Sequence, residues 1–322
     1  MLMSVLLFAV GLVLLIKGGD WFVDGATGIA KRFNLPDIVV GATVVSIGTT
    51  LPEVMVSTTG ALAGSGAMAY GNAIGSIICN TALIAAISIT CNPGPVNVKS
   101  MKTPAIFFFC SAAMYCFASY VLGEFPRWMG FVMLAIFVVY MILTVRNGMK
   151  NPDAADEEEE EETKERKLWQ ELLLLVAGAA VIAVGADLLV EHGQIIALEL
   201  GVPETVVALL FVALGTSLPE LVTTITSLKK GRASLGIGNV IGANVFNLVL
   251  VSGVSVTLAP FEVPVGNTLF GINSSLVLDM PLMLVVMALL CLPTLVGKKT
   301  SRWQGILLLA IYAGFCVLQF AM

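Results

Sequence analysis

Leu35–Asn80 lies over Val202–Asn247 at a constant offset of 167 residues, without a gap, and 16 of the 46 pairs are identical. The identities include positions where unrelated apolar helices have no reason to match. Gly48-Thr49-Thr50-Leu51-Pro52-Glu53 pairs with Gly215-Thr216-Ser217-Leu218-Pro219-Glu220, and Gly71-Asn72 and Gly75 pair with Gly238-Asn239 and Gly242. The same offset joins Gly11 to Gly178 and Asp20 to Asp187. A chain built this way folds as two copies of one unit.

The solvent of that unit follows from the apolar runs around the repeats. They fall at about 1–30, 37–60, 68–91, 103–122, 127–146, 168–196, 204–228, 234–259, 272–294 and 302–322. Each is long enough to cross a hydrocarbon core of roughly 30 Å. Charged residues make up 12% of the chain against about 25% in soluble domains. Inside a bilayer every backbone polar group must be paired internally, which leaves helices or closed barrels. Runs of this length are helical. The expected fold is therefore an all-α membrane protein of ten transmembrane helices in two five-helix repeats. The division is 1–147, an acidic linker at 148–167, and 168–322. Five is odd, so the second repeat enters from the opposite side, the inverted arrangement of many secondary transporters. The first and sixth spans exceed a perpendicular crossing and are expected to tilt.

Basic residues favour the cytoplasmic side. Loops after odd-numbered spans hold 15 of the 17 Lys and Arg, whereas the other side has only Arg127 and Lys17 lies within a span. Both termini are expected outside and the linker inside, in the inner or plasma membrane. Eight acids crowd into Asp153–Glu162, which explains the net charge of −5. Such a block stays solvated, and it reads as a flexible linker. Residues 1–16 lack the basic start of a cleavable signal peptide. The six cysteines have no metal-ligand spacing and read as packing residues. Nothing points to nucleic acid or an obligatory protein partner; the expected partners are the lipid bilayer and small ions.

The chemistry lies in the repeated runs. Pro52 and Pro219 each remove a backbone donor and free carbonyls one turn earlier. Freed carbonyls, hydroxyls and a carboxylate within one turn form a hard-oxygen set suited to Ca2+ or Na+. Glu53 and Glu220 are the central candidates, because a carboxylate deep in a membrane normally marks an ion path. Ser46, Thr49, Thr50, Glu53 and Ser57 make one polar stripe at spacings of three and four. The second copy offers Thr216, Ser217, Glu220 and Thr224, with Ala213 in place of Ser46. Such hydroxyls also commonly bond their own backbone. Asn72, Ser76 and Asn80 recur every four residues, as do Asn239, Ala243 and Asn247, and form the opposing wall, where the asparagine amide oxygens are candidate ligands or ligand-positioners. The glycines between them allow close helix packing. Asp20, Asp24, Asp187 and Glu191 pair in register on the first and sixth spans and read as gating or stabilising groups. His192 reads as interfacial, and Asp279 has no equivalent in the other copy.

These residues closely resemble the two alpha-repeats of the cation/calcium exchanger superfamily, in particular the prokaryotic sodium/calcium exchangers, over essentially the whole chain. The resemblance implies exchange of Ca2+ for Na+, with three Na+ sites and one Ca2+ site occupied competitively and no cofactor. It also implies that the first and sixth helices slide across the rest. Carried over by position, Glu53, Glu220 and the Thr49 and Thr216 carbonyls correspond to calcium ligands. Thr50, Ser217, Ser76 and the Ser46 and Ala213 carbonyls correspond to sodium ligands, with Asn80 and Asn247 near the middle. Ala243 lacks the hydroxyl of Ser76, which implies a weaker sodium site. Asn247 stands where some relatives carry aspartate, and Ile77 replaces the asparagine present at Asn244, read as a packing difference. Two buried carboxylates favour taking up a proton, so a proton/calcium antiporter on the same fold is the alternative. A channel fits the inverted repeat less well. An intramembrane protease lacks its motifs.

Overall fold

The computed structural model describes residues 2–150, 166–199, 215–264, 268–269 and 272–321. Its helices are α1 (Leu2–Arg32), α2 (Asp37–Thr49), α3 (Leu51–Leu62), α4 (Gly66–Cys91), α5 (Val98–Leu122) and α6 (Arg127–Met149). Then follow α7 (Leu168–Glu199), α8 (Leu218–Lys229), α9 (Ala233–Leu258), α10 (Ser275–Gly297) and α11 (Arg302–Ala321). Among the described residues eight helices are long and apolar enough to cross a membrane, and the bent pair α2–α3 makes a ninth. The protein is a helical, multi-pass membrane protein. The acidic run Asp153–Glu162, Ala213 and the first part of the expected seventh span lie outside the described residues.

Local chemistry sets the ends of these helices. The Ser65 and Asn97 side chains accept from the Met68 and Ser100 amides and cap α4 and α5. Gly64 and Gly231 occupy equivalent positions after α3 and α8 with φ of +83° and +70°, the left-handed conformation that closes a helix. In both turns the following amide reaches back five residues, Ser65 to Gly60 and Arg232 to Ser227. Helix ends depart from hydropathy where caps decide them. α5 begins at Val98, not 103, so Lys99 and Lys102 lie in its first turns rather than in a loop. α10 begins at Ser275, because Ile272–Asn273 pairs as a strand with Thr268–Leu269.

α1 and α7 pack along each other far more than on the remaining helices. Their contact is crosswise between equivalent glycines. A Cβ at Gly11 would lie 2.9 Å from the Gly185 carbonyl, and one at Gly18 would lie 3.1 Å from that of Gly178. Only glycine permits this approach. The outer face of α1 carries Leu2, Met3, Leu6, Val13 and Ile16, all exposed for contact with lipid. Within the body, α4 and α9 are the most enclosed helices.

Among the described residues four ion pairs gather at one end. Arg32 faces Glu171 at 3.7 Å within the α1–α7 pair, and Arg232 meets Asp37 at 3.1 Å within the body. Lys230 joins the two parts, at 2.7 Å from Asp24 and 3.6 Å from Asp20. Asp279, without an equivalent in the sequence, accepts from Gln319 Nε2 at 3.0 Å and ties α10 to α11. All six cysteines are free; Cys79 and Cys291 are buried, whereas Cys91 and Cys110 are exposed rather than packed inside. His192 is half-buried in α7.

Candidate ion site

Proline follows a break in the helix where the first copy carries the repeated run. α2 and α3 meet at a bend of 46°. Thr50 at the junction has φ −86° and ψ −1°, and Ser217 before α8 has φ −90° and ψ 4°. Both lie in the sparsely populated bridge region. The chain thus repeats its irregular backbone as well as its residues. Pro52 and Pro219 take an early position in the new helix, where the missing N–H is not needed. Glu53 and Glu220 fall in the first turns of α3 and α8. The positive end of the helix dipole there offsets part of a carboxylate charge.

Both glutamates are fully buried. Glu220 Oε1 accepts from the Thr50 hydroxyl at 3.5 Å, a long contact across the repeats. Both Glu53 carboxylate oxygens and Glu220 Oε2 have no hydrogen-bond partner among the described residues. The same holds for the Ser217 hydroxyl and for both amide atoms of Asn80 and of Asn247. Buried polar atoms are nearly always paired, so this concentration of orphaned oxygens is informative.

Asn72 and Asn239 are both engaged in protein contacts, Asn239 through its side-chain oxygen, whereas its Nδ2 has no partner among the described residues. Asn72 donates to the Ser57 hydroxyl at 2.8 Å and the Glu53 carbonyl at 3.3 Å, and accepts from Thr216 at 3.3 Å. Asn239 Oδ1 accepts from Thr49 at 3.1 Å. The Ser46 hydroxyl lies 2.8 Å from the Gly41 carbonyl and 3.0 Å from that of Asn239. These two asparagines, candidate ligands or ligand-positioners in the sequence, tie α3 and Thr216 to α4 and tie α2 to α9. Ser76 is buried on α4.

The opposing wall has its own irregularity. α4 opens into a π turn at Asn80–Ala85, and α9 does so at Asn247–Val251. The two turns start at equivalent asparagines, and π turns inside α-helices frequently mark functional sites. Hydropathy does not register such a turn. Asn244 was expected to be a packing difference, but its amide bonds Thr81 at 2.7 Å. That contact joins two residues whose equivalents, Leu248 and Ile77, are apolar. A repeat comparison shows only what is shared, so Asn244 and Thr81 were visible in it solely as mismatches. Among the described residues there is no group of three or more His, Cys, Asp or Glu able to hold a metal. What the arrangement offers is two carboxylates with hydroxyl and amide oxygens, a hard donor set. It fits an oxygen-seeking cation.

Comparison with known proteins agrees with this chemistry. The family model described as sodium/calcium exchanger protein matches residues 3–146 and 171–321. An uncharacterized membrane protein of Methanocaldococcus jannaschii is 34% identical over 306 residues, covering 95% of this chain and 94% of that protein. The sodium/calcium exchanger MaX1 of Methanosarcina acetivorans is 31% identical, covering 98% of each chain. Among solved structures, the sodium-calcium exchanger NCX_Mj soaked with Na+ superposes with a TM-score of 0.80 at 32% identity, covering 97% of each chain.

Proposed function

The chain belongs to the sodium/calcium exchanger protein family, and from that premise we propose that it is a secondary active antiporter exchanging Ca2+ for Na+ by alternating access. The observation that carries this reading is the pair of buried glutamates, Glu53 and Glu220, together with the buried, orphaned oxygens of Ser217, Asn80 and Asn247. A buried carboxylate without a partner is costly, and a divalent cation between the two removes that cost. In this reading Glu53, Glu220 and the Thr49 and Thr216 carbonyls hold Ca2+. Thr50, Ser217, Ser76 and the Ser46 and Ala213 carbonyls serve Na+, with Asn80 and Asn247 between. Two carboxylates balance one Ca2+, whereas about three Na+ leave one net positive charge, so exchange at that ratio is electrogenic.

The ten-span, inverted reading has independent support from loop pairing. Glu124–Phe125 pairs with Phe261–Glu262, so both loops lie on one side. An even number of crossings separates them. α6, α7 and α9 supply three, which requires one more between α7 and α9, where α8 stands. The bridge from Pro95 to Lys299 obeys the same parity. The distribution of basic residues supports both termini outside. The α1–α7 pair, packed chiefly on itself, is the element that would move across the site.

The test is calcium uptake into vesicles reconstituted with the full chain, driven separately by Na+, H+ and K+ gradients. A sodium gradient alone is expected to suffice. Uptake driven by protons and not by sodium would replace this reading with proton/calcium exchange.

A further inference from the structure

The two π turns are supported by different devices, and neither device is repeated. In α9 the Ser252 hydroxyl donates to the Asn247 carbonyl at 2.8 Å and closes the widened turn. The equivalent of Ser252 is Ala85, which has no hydroxyl to offer. In α4 the support comes from outside the helix. Thr81, the second residue of the turn, accepts from Asn244 Nδ2 at 2.7 Å and donates to Met287 Sδ at 3.2 Å. Asn244 Nδ2 also reaches Met287 Sδ at 3.1 Å. The equivalents of Thr81 and Asn244 are Leu248 and Ile77, which cannot form this tie. Thr81, Asn244, Ser252 and Met287 are 0–2% exposed. The Thr81 tie and the Ser252 tie therefore each occur in one copy of the repeat and not in the other.

We propose that Asn244 is a positioning residue for cation binding: through Thr81 it fixes the first π turn and thereby aims the Asn80 amide, as Ser252 does for Asn247. The inference rests on the assignment of Asn80 and Asn247 to the ion site. A π turn departs from the regular hydrogen-bond ladder, so its geometry depends on what braces it. Neither amide atom of Asn80 has a partner of its own among the described residues. Its direction is thus inherited from the backbone at Thr81. Buried polar ties of this kind specify one arrangement strongly, because breaking them strands unpaired groups. The consequence is an asymmetric site: α4 is braced from α9 and α10, whereas α9 is braced from within.

The experiment compares Asn244→Leu, Thr81→Val, Thr81→Ser and Asn80→Ala in the full-length purified protein, with Ca2+ alone as the probe. Calcium affinity is read by titration and the KM and maximal rate by vesicle uptake. Asn244→Leu and Thr81→Val are expected to weaken calcium binding about five- to tenfold, with KM raised and maximal rate changed less. Thr81→Ser keeps the hydroxyl and should stay near wild type. In the Asn80→Ala background Asn244→Leu should add nothing. Wild-type affinity in Thr81→Val overturns the proposal, as does a full additive loss in the double variant, since either leaves the tie a matter of packing. If Asn244→Leu fails to insert, the Val and Ser variants of Thr81 still decide, because they differ at the hydroxyl. Full calcium binding by Glu53→Gln would instead remove the ion-site reading itself.

Discussion

The Thr49 hydroxyl donates to Asn239 Oδ1 at 3.1 Å, and Thr216 repeats the bond to Asn72 Oδ1 at 3.3 Å. Each repeat thus holds the Gly-Thr run of the other. The pairing predicts that Asn239→Ala and Asn72→Ala both destabilise the fold, by about 1–3 kcal/mol each for the groups left unpaired. Transport should slow more than stability alone explains, because the Thr49 and Thr216 carbonyls share that backbone. Thermal melts and vesicle uptake on the same preparations check this. Unchanged melting of both variants would mean that the crossed bonds carry no weight.

Glu53→Gln and Glu220→Gln should abolish calcium exchange while raising stability in chelator. Each removes one of two buried like charges that lack a positive partner, at nearly constant volume. In calcium-free buffer the variants should melt about 2 to 5 °C above wild type. Added calcium should raise the wild-type midpoint and leave theirs unmoved. A calcium-induced shift preserved in the double variant would place the cation elsewhere.

Asn247→Asp adds a third carboxylate to two that are already crowded. Repulsion favours protonation of the group as a whole rather than of one residue. A bound proton opposes calcium, so uptake by the variant should fall as pH drops below neutral. Wild-type uptake, with Asn247 uncharged, should be flatter over that range. Potassium should be unnecessary for the wild type, which has no extra negative charge to balance it. Superimposable pH profiles would remove position 247 from the site.

Lys230 joins the α1–α7 pair to the body, through Asp24 at 2.7 Å and the Asp20 carbonyl at 3.0 Å. The groups are partly exposed, so the tie contributes at most about 1 kcal/mol to stability. It holds one position of the pair, and its loss should change the balance between states rather than the fold. Lys230→Ala is expected to alter the uptake rate about two- to fivefold without moving the melting temperature. Exchanging the charges, Lys230→Asp with Asp24→Lys, should restore it. Failure of the swap with a lowered melting point would make the contact purely structural.

Much of this was legible without coordinates. Apolar runs specify membrane helices because a bilayer leaves the backbone few alternatives. Pro52 and Pro219 mark the breaks because a missing N–H acts on its own turn. The repeat singled out Glu53, Glu220, Asn80 and Asn247 because equivalent positions carry equivalent residues.

Tertiary structure alone decided which residue meets which. The offset of 167 aligns Thr49 with Thr216, yet Thr49 bonds Asn239; equivalence is not contact. Crosswise pairing of Gly11 with Gly185 and Gly18 with Gly178 arises only when α1 and α7 are laid side by side. The π turns at Asn80 and Asn247 left no hydropathic trace, since one extra residue in a turn does not change what a window of apolar residues averages. Thr81, Asn244 and Ser252 escaped the repeat because each works where its equivalent cannot. A sequence records local preference and duplication; the bracing of one copy by the other depends on distances set by packing between helices far apart in the chain.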